Sequence, residues 1–225
     1  MTKIDDPLAR AQHTREVVKS LRTDIILGKY AKGTRLIESK IADTLGASRA
    51  PVRTAFQLLA QEGLVINLAN GGTEVVGFSI KQAMDLFDLR LLLEKRALEL
   101  ILDSDSFVFR PLFESMEQLE QYLPQAEAAE IPSSETSRLD ILFHRSLVMM
   151  ADSTPLLVAW NTMTNIFQEL LEITNMTSSS YRHFFEDHRK LADLIIQRNR
   201  SSIDELVAHI TRAKNIIIER LETRL

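Results

Sequence analysis

The sequence predicts a mainly α chain in two parts: three helical segments closed by a small β-hairpin, then a six-helix antiparallel bundle. Three observations predict this. Apolar residues recur at helical spacing through most of the 225 residues. A single glycine-rich break, Asn70-Gly71-Gly72, separates two β-branched runs, Leu64-Val65-Ile66 and Glu74-Val75-Val76-Gly77-Phe78, which is the pattern of a hairpin. The charge also changes sign after that hairpin. Residues 1–77 carry 11 Lys+Arg against 8 Asp+Glu, and residues 78–225 carry 16 against 23. The net charge of −4 therefore hides a cationic first part suited to a polyanion and an anionic second part that is not. Domains are expected at 1–78 and 79–225.

Each element has a local reason. The first helix runs from about Thr14 to Leu27 and stops at Gly28, with Val17, Val18, Leu21, Ile25 and Ile26 at helical spacing. The second spans about Glu38–Leu45 and stops at Gly46. The third takes Ser48 as N-cap, tolerates Pro51 in its first turn and ends before Gly63. After the hairpin, Ser79 and Gln82 form a capping box for a helix with Leu86, Leu89, Leu93, Ala97 and Leu100 on one face. Further helices start near Pro111 and near Glu135, and after the cap pair Thr154-Pro155. The last two span about Ser179–Gln197 and from the Ser202/Glu205 cap to the end.

Composition excludes several classes. There is no cysteine, so disulfides and thiolate metal sites are excluded. No run of about 18 apolar residues is present, so no membrane span is expected. Acidic residues near the start, Asp5 and Asp6, stand where a signal peptide would be apolar, and a cytoplasmic protein is expected.

Helix, turn at Gly46, second helix and β-hairpin together make a winged helix-turn-helix with a small β-hairpin wing. In that motif the N-terminal part of the second helix meets base edges in the major groove. Here that part is Ser48, Arg49, Ala50 and Arg53. Arg49 and Arg53 lie one turn apart on a shared face. Arginine suits the position because its planar fork can bind guanine O6 and N7, or phosphate. From Thr44 to Gln61 there is no acidic residue, as expected for a surface approaching DNA. Two exposed arginines alone are more often solubility charges; it is their register that changes the odds.

The run Lys32-Gly33-Thr34-Arg35-Leu36, followed by Ser48-Arg49-Ala50-Pro51-Val52-Arg53 and by Glu62-Gly63-Leu64-Val65, resembles the DNA-binding domain of the GntR family over about residues 12–77. The resemblance implies DNA contact by Arg49 and Arg53 first, then by Ser48 and the wing tip Asn70 to Gly72, with Asn70 and Gly71 foremost. Three positions depart from the family pattern. Ala50 replaces a usual threonine, Thr54 a usual glutamate, and Ser39 a commonly basic residue that often touches DNA in relatives.

In the second part, Asp140 and His144 are four apart on one predicted helix, about 6 Å along its axis, and can share a divalent cation. His188 and His209 sit in amphipathic patterns on the last two helices, and a bundle that converges them would complete an Asp-His-His-His set. By spacing alone, hydrogen-bonded core histidines are the commoner outcome. The segments Asp140-Ile141-Leu142-Phe143-His144, Glu186-Asp187-His188 and Ala208-His209-Ile210 resemble the ligand domain (FCD type) of the FadR branch, VanR-like subgroup. This resemblance implies a divalent metal of the Zn, Ni or Mn type on Asp140, His144, His188 and His209. It also implies a small carboxylate effector filling open metal positions. Arg90 matches an arginine often aimed into the family pocket, with a surface salt bridge to Glu94 as the alternative. Thr154 departs from a usual asparagine. His13 and His183 match no family ligand and are expected in solvent. Trp160, Met163, Phe167 and Leu170 form a stripe expected in the core or in a dimer contact.

The function these features predict is a transcription regulator, not an enzyme. It would be a homodimeric repressor with double-stranded, pseudo-palindromic operator DNA as partner and a small organic acid as effector. The alternatives are a metal-dependent hydrolase in the helical part, disfavoured by the lack of a general base, and a DNA-binding dimer without an effector.

Overall fold

A computed structural model of the chain describes residues 7–69, 71–175 and 180–224. It divides into two compact units, one reaching Ser79 and one from Ile80 to Thr223.

The first unit orders its elements as α1 (Pro7–Ile26), β1 (Arg35–Leu36), α2 (Glu38–Leu45), α3 (Arg49–Gln61), β2 (Val65–Asn67) and β3 (Thr73–Val75). Helix α1 begins earlier than expected, but its stripe Val17, Val18, Leu21, Ile25 and Ile26 is buried as the periodicity requires. It packs on α3, which turns Val52, Ala55, Phe56 and Leu59 inward. Burying each such side chain contributes roughly 1.5–3 kcal/mol for the larger ones. A bidentate pair, Arg22 Nε and Nη2 to the Glu62 carboxylate at 2.7 and 2.6 Å, ties α1 to the end of α3.

Helix α2 ends at Gly46, whose φ of 61° lets its N–H reach back to the Ala42 and Asp43 carbonyls. That left-handed residue turns the chain into α3. Ser48 occupies the N-cap position with extended backbone, but its side chain makes no capping bond, which corrects the expected cap. The hairpin pairs Val65 with Val75 and Asn67 with Thr73. The strand β1, not expected from sequence, adds on the other side of β3 to give the order β1-β3-β2. Two residues are too few to show a period of two.

The second unit contains α4 (Ile80–Asp103), α5 (Arg110–Glu120), α6 (Leu123–Ala128), α7 (Ser133–Met150), α8 (Thr154–Thr174), α9 (Tyr181–Ile196) and α10 (Ser201–Glu222). The six long helices are those the periodicity predicts. The added short α6 carries Pro124 in its first turn, where proline costs no hydrogen bond. Helix α7 lies at the centre, against α4, α5 and α8, while α10 packs on α4, α8 and α9.

Three local expectations shift. Ser153 takes the N-cap position of α8, so Thr154 and Pro155 lie inside it. Helix α10 starts at Ser201, which puts Ser202 within the helix, fully buried and not capping it. The buried face of α4 is Ala83, Phe87, Arg90, Leu93, Glu94, Ala97, Leu98, Ile101 and Leu102, whereas Leu89 is 46 % exposed. The apolar stripe leaves out Glu94, which faces inward together with Arg90, the arginine that the family resemblance aims into the pocket. No helix among the described residues is long and apolar enough to cross a membrane.

Candidate nucleic-acid interface and metal centre

On α3 the buried face points toward α1, which leaves the opposite face to solvent. Ser48, Arg49, Ala50 and Arg53 are all exposed on it. Ser39, on α2, is half-buried, and Gly71 in the wing turn is exposed; Asn70 lies outside the described residues. The wing turn closes with Leu68 N–H on the Gly72 carbonyl at 3.0 Å. Two charged residues join this surface without having been singled out in the sequence. Arg35 of β1 donates to the Gly71 carbonyl, and the missing Cβ of Gly72 makes room for its guanidinium, whose Nε would lie 2.8 Å from a Cβ there. Glu38, in the first turn of α2, accepts from Arg53 Nε and Nη2, both at 3.0 Å. The acid-free run from Thr44 to Gln61 therefore does not make an acid-free surface. This contact holds the Glu38 carboxyl below its ordinary range, the hydrogen bond from Arg53 being the main cause.

In the second unit the structure brings Asp140 and His144 of α7, His188 of α9 and His209 of α10 together, all buried, with one ligand-capable atom of each within 4.8 Å of the others. The hydrogen bonds fix what faces inward. His188 Nδ1 is 2.7 Å from the Phe184 carbonyl, which can only accept, so Nδ1 carries the proton and Nε2 presents a lone pair. His144 Nδ1 lies 2.6 Å from Glu94 Oε2 and is a donor for the same reason. Its Nε2 is 3.2 Å from His209 Nε2 and 3.7 Å from Asp140 Oδ1. His188 Nε2 is 3.4 Å from Asp140 Oδ1, yet this buried nitrogen makes no hydrogen bond among the described residues.

Imidazole nitrogens and a carboxylate oxygen thus converge in a buried site, where facing lone pairs repel one another until a proton, as on His209 Nε2, or a cation lies between them. Atoms about 2 Å from one ion sit about 3–3.5 Å from one another, close to these separations. The donor set fits a divalent metal, with Glu94 and the Phe184 carbonyl orienting two of the rings.

Electrostatics agree with deprotonated ligands. Burial alone would raise the Asp140 carboxyl, but His144, Arg90 and His188 outweigh it and hold it far below the ordinary range. Burial, then Arg90, lowers the His144 pKa; burial, then His188 and His144, lowers that of His209 strongly. Arg90 is 1 % exposed. It donates through Nε to Glu94 Oε1 at 2.7 Å and through Nη2 to Asp140 Oδ2 at 3.2 Å, and its guanidinium stacks near Trp160 and Phe167. The expected pair with Glu94 exists, but in the core rather than on the surface. Trp160, Met163, Phe167 and Leu170 are core residues, and His13 and His183 are exposed. Glu94 was legible in principle, since positions 87, 90, 94, 97 and 101 form one helical stripe that already contains Phe87, Ala97 and Ile101.

An exposed helix after a left-handed glycine turn, a three-stranded wing and a helical bundle around a His-rich centre define the class as a helix-turn-helix regulator with a separate helical domain. Residues 13–75 match the family of bacterial regulatory proteins, gntR family, and residues 85–213 match the FCD domain. The chain belongs to the GntR family of transcriptional regulators and carries an FCD domain. It is 27 % identical over 186 residues to the gluconate operon transcriptional repressor of Bacillus subtilis (strain 168), covering 83 % of this chain and 74 % of that one. It is 29 % identical over 189 residues to a probable D-xylose utilization operon transcriptional repressor of Paenarthrobacter nicotinovorans, covering 81 % and 80 %. Among solved structures, a GntR-family regulator from Pseudomonas syringae pv. tomato str. DC3000 matches with a TM-score of 0.52 at 26 % identity, over 95 % of this chain and 88 % of that one. A putative GntR regulator from Rhodococcus sp. RHA1 shares the fold, with a TM-score of 0.60 at 20 % identity over 92 % and 98 %.

Proposed function

We propose that this regulator is a cytoplasmic homodimeric repressor that binds pseudo-palindromic operator DNA through α3. Its affinity is set by a small organic acid bound in the helical domain beside a divalent metal. The observation that carries the DNA reading is the exposed pair Arg49 and Arg53, one turn apart behind the Gly46 turn, on the face of α3 that the core leaves free. Guanidinium groups so placed can reach bases or phosphates when the helix lies in the major groove. The exposed wing turn, which Arg35 braces through the Gly71 carbonyl, supports a second contact with the duplex beside α3.

For the helical domain, the orphan lone pair of His188 and the facing nitrogens of His144 and His209 support a metal on Asp140, His144, His188 and His209. When bound, that ion supplies Lewis acidity and open positions for a carboxylate. Arg90 adds a fixed positive charge next to Asp140, which favours an anionic effector. Effector binding then changes operator affinity only through differential contacts with the two states of the regulator.

The test is a gel-shift titration against duplexes selected from a randomised pool. Arg49→Ala and Arg53→Ala are each expected to weaken operator binding by roughly 5- to 150-fold, since a good bidentate or charged contact is worth about 1–3 kcal/mol. Binding as tight as wild type in both variants would remove α3 from the interface.

A further inference from the structure

Resting on that DNA reading, we propose that Glu38 is a positioning residue that aims Arg53 end-on at a guanine, making Arg53 a base reader rather than a phosphate clamp. The observation is the bidentate contact from α2 to α3: Arg53 Nε to Oε1 and Nη2 to Oε2, both at 3.0 Å. A guanidinium has two edges with parallel N–H bonds. Glu38 occupies the Nε–Nη2 edge. The Nη1–Nη2 edge then points away from the carboxylate, and it is the end-on edge whose two donors match guanine O6 and N7.

A lone carboxylate beside a DNA-facing helix otherwise works against binding, because it repels phosphate. Its worth to the fold is modest, because the Arg53 side chain is 63 % exposed and exposed ion pairs are weak; the two-point arginine–carboxylate geometry is what sets this pair above a casual surface contact. What the pair does supply is direction. An unpaired arginine samples many rotamers and binds whichever phosphate is near. One gripped along its side edge is held as a rigid fork, so less freedom is lost when it meets a base. Glu38 can hold this place because it lies in the first turn of α2, where the free N–H groups of the helix favour an anion. Arg49, one turn earlier on α3, feels the same Glu38 charge but makes no two-point hydrogen bond to a carboxylate among the described residues, so its contact is the more adaptable of the two.

The experiment compares wild type, Glu38→Gln, Arg53→Ala and Arg53→Lys by selection from a randomised duplex pool, followed by titrations over a salt series. Thermal melting shows that each variant is folded. Wild type is expected to select a guanine at one position of each half-site. Glu38→Gln, which keeps the size but loses the charged two-point grip, is expected to lose preference at that same position on the order of tenfold. Its affinity for scrambled duplex stays level or rises, because a negative charge has gone. Arg53→Lys is expected to lose the same preference with the salt slope kept. If Arg53→Ala abolishes a guanine preference that Glu38→Gln leaves intact, the proposal is overturned while the DNA reading stands. If Arg53→Ala weakens all sequences alike and lowers the salt slope by about one, Arg53 is a phosphate contact and the proposal is overturned again. If wild type selects no site at all, the DNA reading falls and takes the proposal with it.

Discussion

Glu94 carries more of the candidate metal centre than its position outside the ligand set suggests. One carboxylate oxygen accepts from His144 Nδ1 and the other from Arg90 Nε, so it fixes a ligand ring and neutralises a buried cation at once. Arg90 in turn reaches Asp140, which closes a circuit of buried charges around the site. Such partners of metal ligands typically contribute ten- to a hundredfold in metal affinity. Glu94→Gln is therefore expected to weaken Zn²⁺ binding by roughly 10–100-fold in competition with a chromophoric chelator. Its amide presents only one acceptor where two donors arrive. Glu94→Ala leaves Arg90 with a single buried partner and is expected to cost about 3–5 kcal/mol of stability as well. Wild-type metal affinity in Glu94→Gln would show that His144 needs no orienting partner.

At the level of elements, the helices and the hairpin were legible because their signals are local: spacing of apolar residues, glycine stops, prolines in first turns. The misses are of another kind. Caps moved by a residue because Ser153 and Thr154 are both capping types, and only the backbone decides which one is used. The buried face of α4 departs from its apolar stripe because Glu94, with Arg90, is buried by virtue of Asp140 and His144, fifty residues away. The Asp140/His144 half of the candidate metal set follows from helical spacing, but the approach of His188 and His209 depends on how α9 and α10 pack, which no local pattern states. The wing illustrates the same limit. Gly72 has a φ of 107°, which side-chain-bearing residues rarely adopt, and Arg35 fills the space where its Cβ would be. Gly72→Ala is expected to strain the turn, push Arg35 off the Gly71 carbonyl and destabilise the first unit by about 1–3 kcal/mol. Urea unfolding followed by circular dichroism would read this directly, and an unchanged midpoint would mean that the turn relaxes without loss.

For the whole molecule, the candidate metal centre would link ligand, protons and stability. Ligands that bind only the folded state stabilise it by about 2.7 kcal/mol at a hundred times their dissociation constant. For a domain of this size that corresponds to roughly 5–10 °C in Tm. Divalent metal is thus expected to raise the Tm of chelator-stripped protein by that amount, and to leave Tm unmoved in the double variant His188→Ala/His209→Ala. The metal-free protein carries the opposite charge balance. Burial, with Arg90 or the neighbouring imidazoles, keeps His144 and His209 neutral in the folded state, whereas the unfolded chain protonates them near 6.5. Below 6.5 the unfolded state therefore binds more protons than the folded one, so stability falls as pH drops through that value and is recovered above it. Asp140, held far below the ordinary carboxyl range, adds a loss of the same sign at lower pH. The stripped protein is expected to lose Tm between pH 7 and pH 5, with part of that slope removed in His209→Gln. Bound metal holds the imidazoles deprotonated until protons displace it, so the loaded protein should hold its Tm to lower pH than the stripped one. A slope identical with and without metal, and identical in His209→Gln, would show that these histidines neither hold an ion nor titrate with folding.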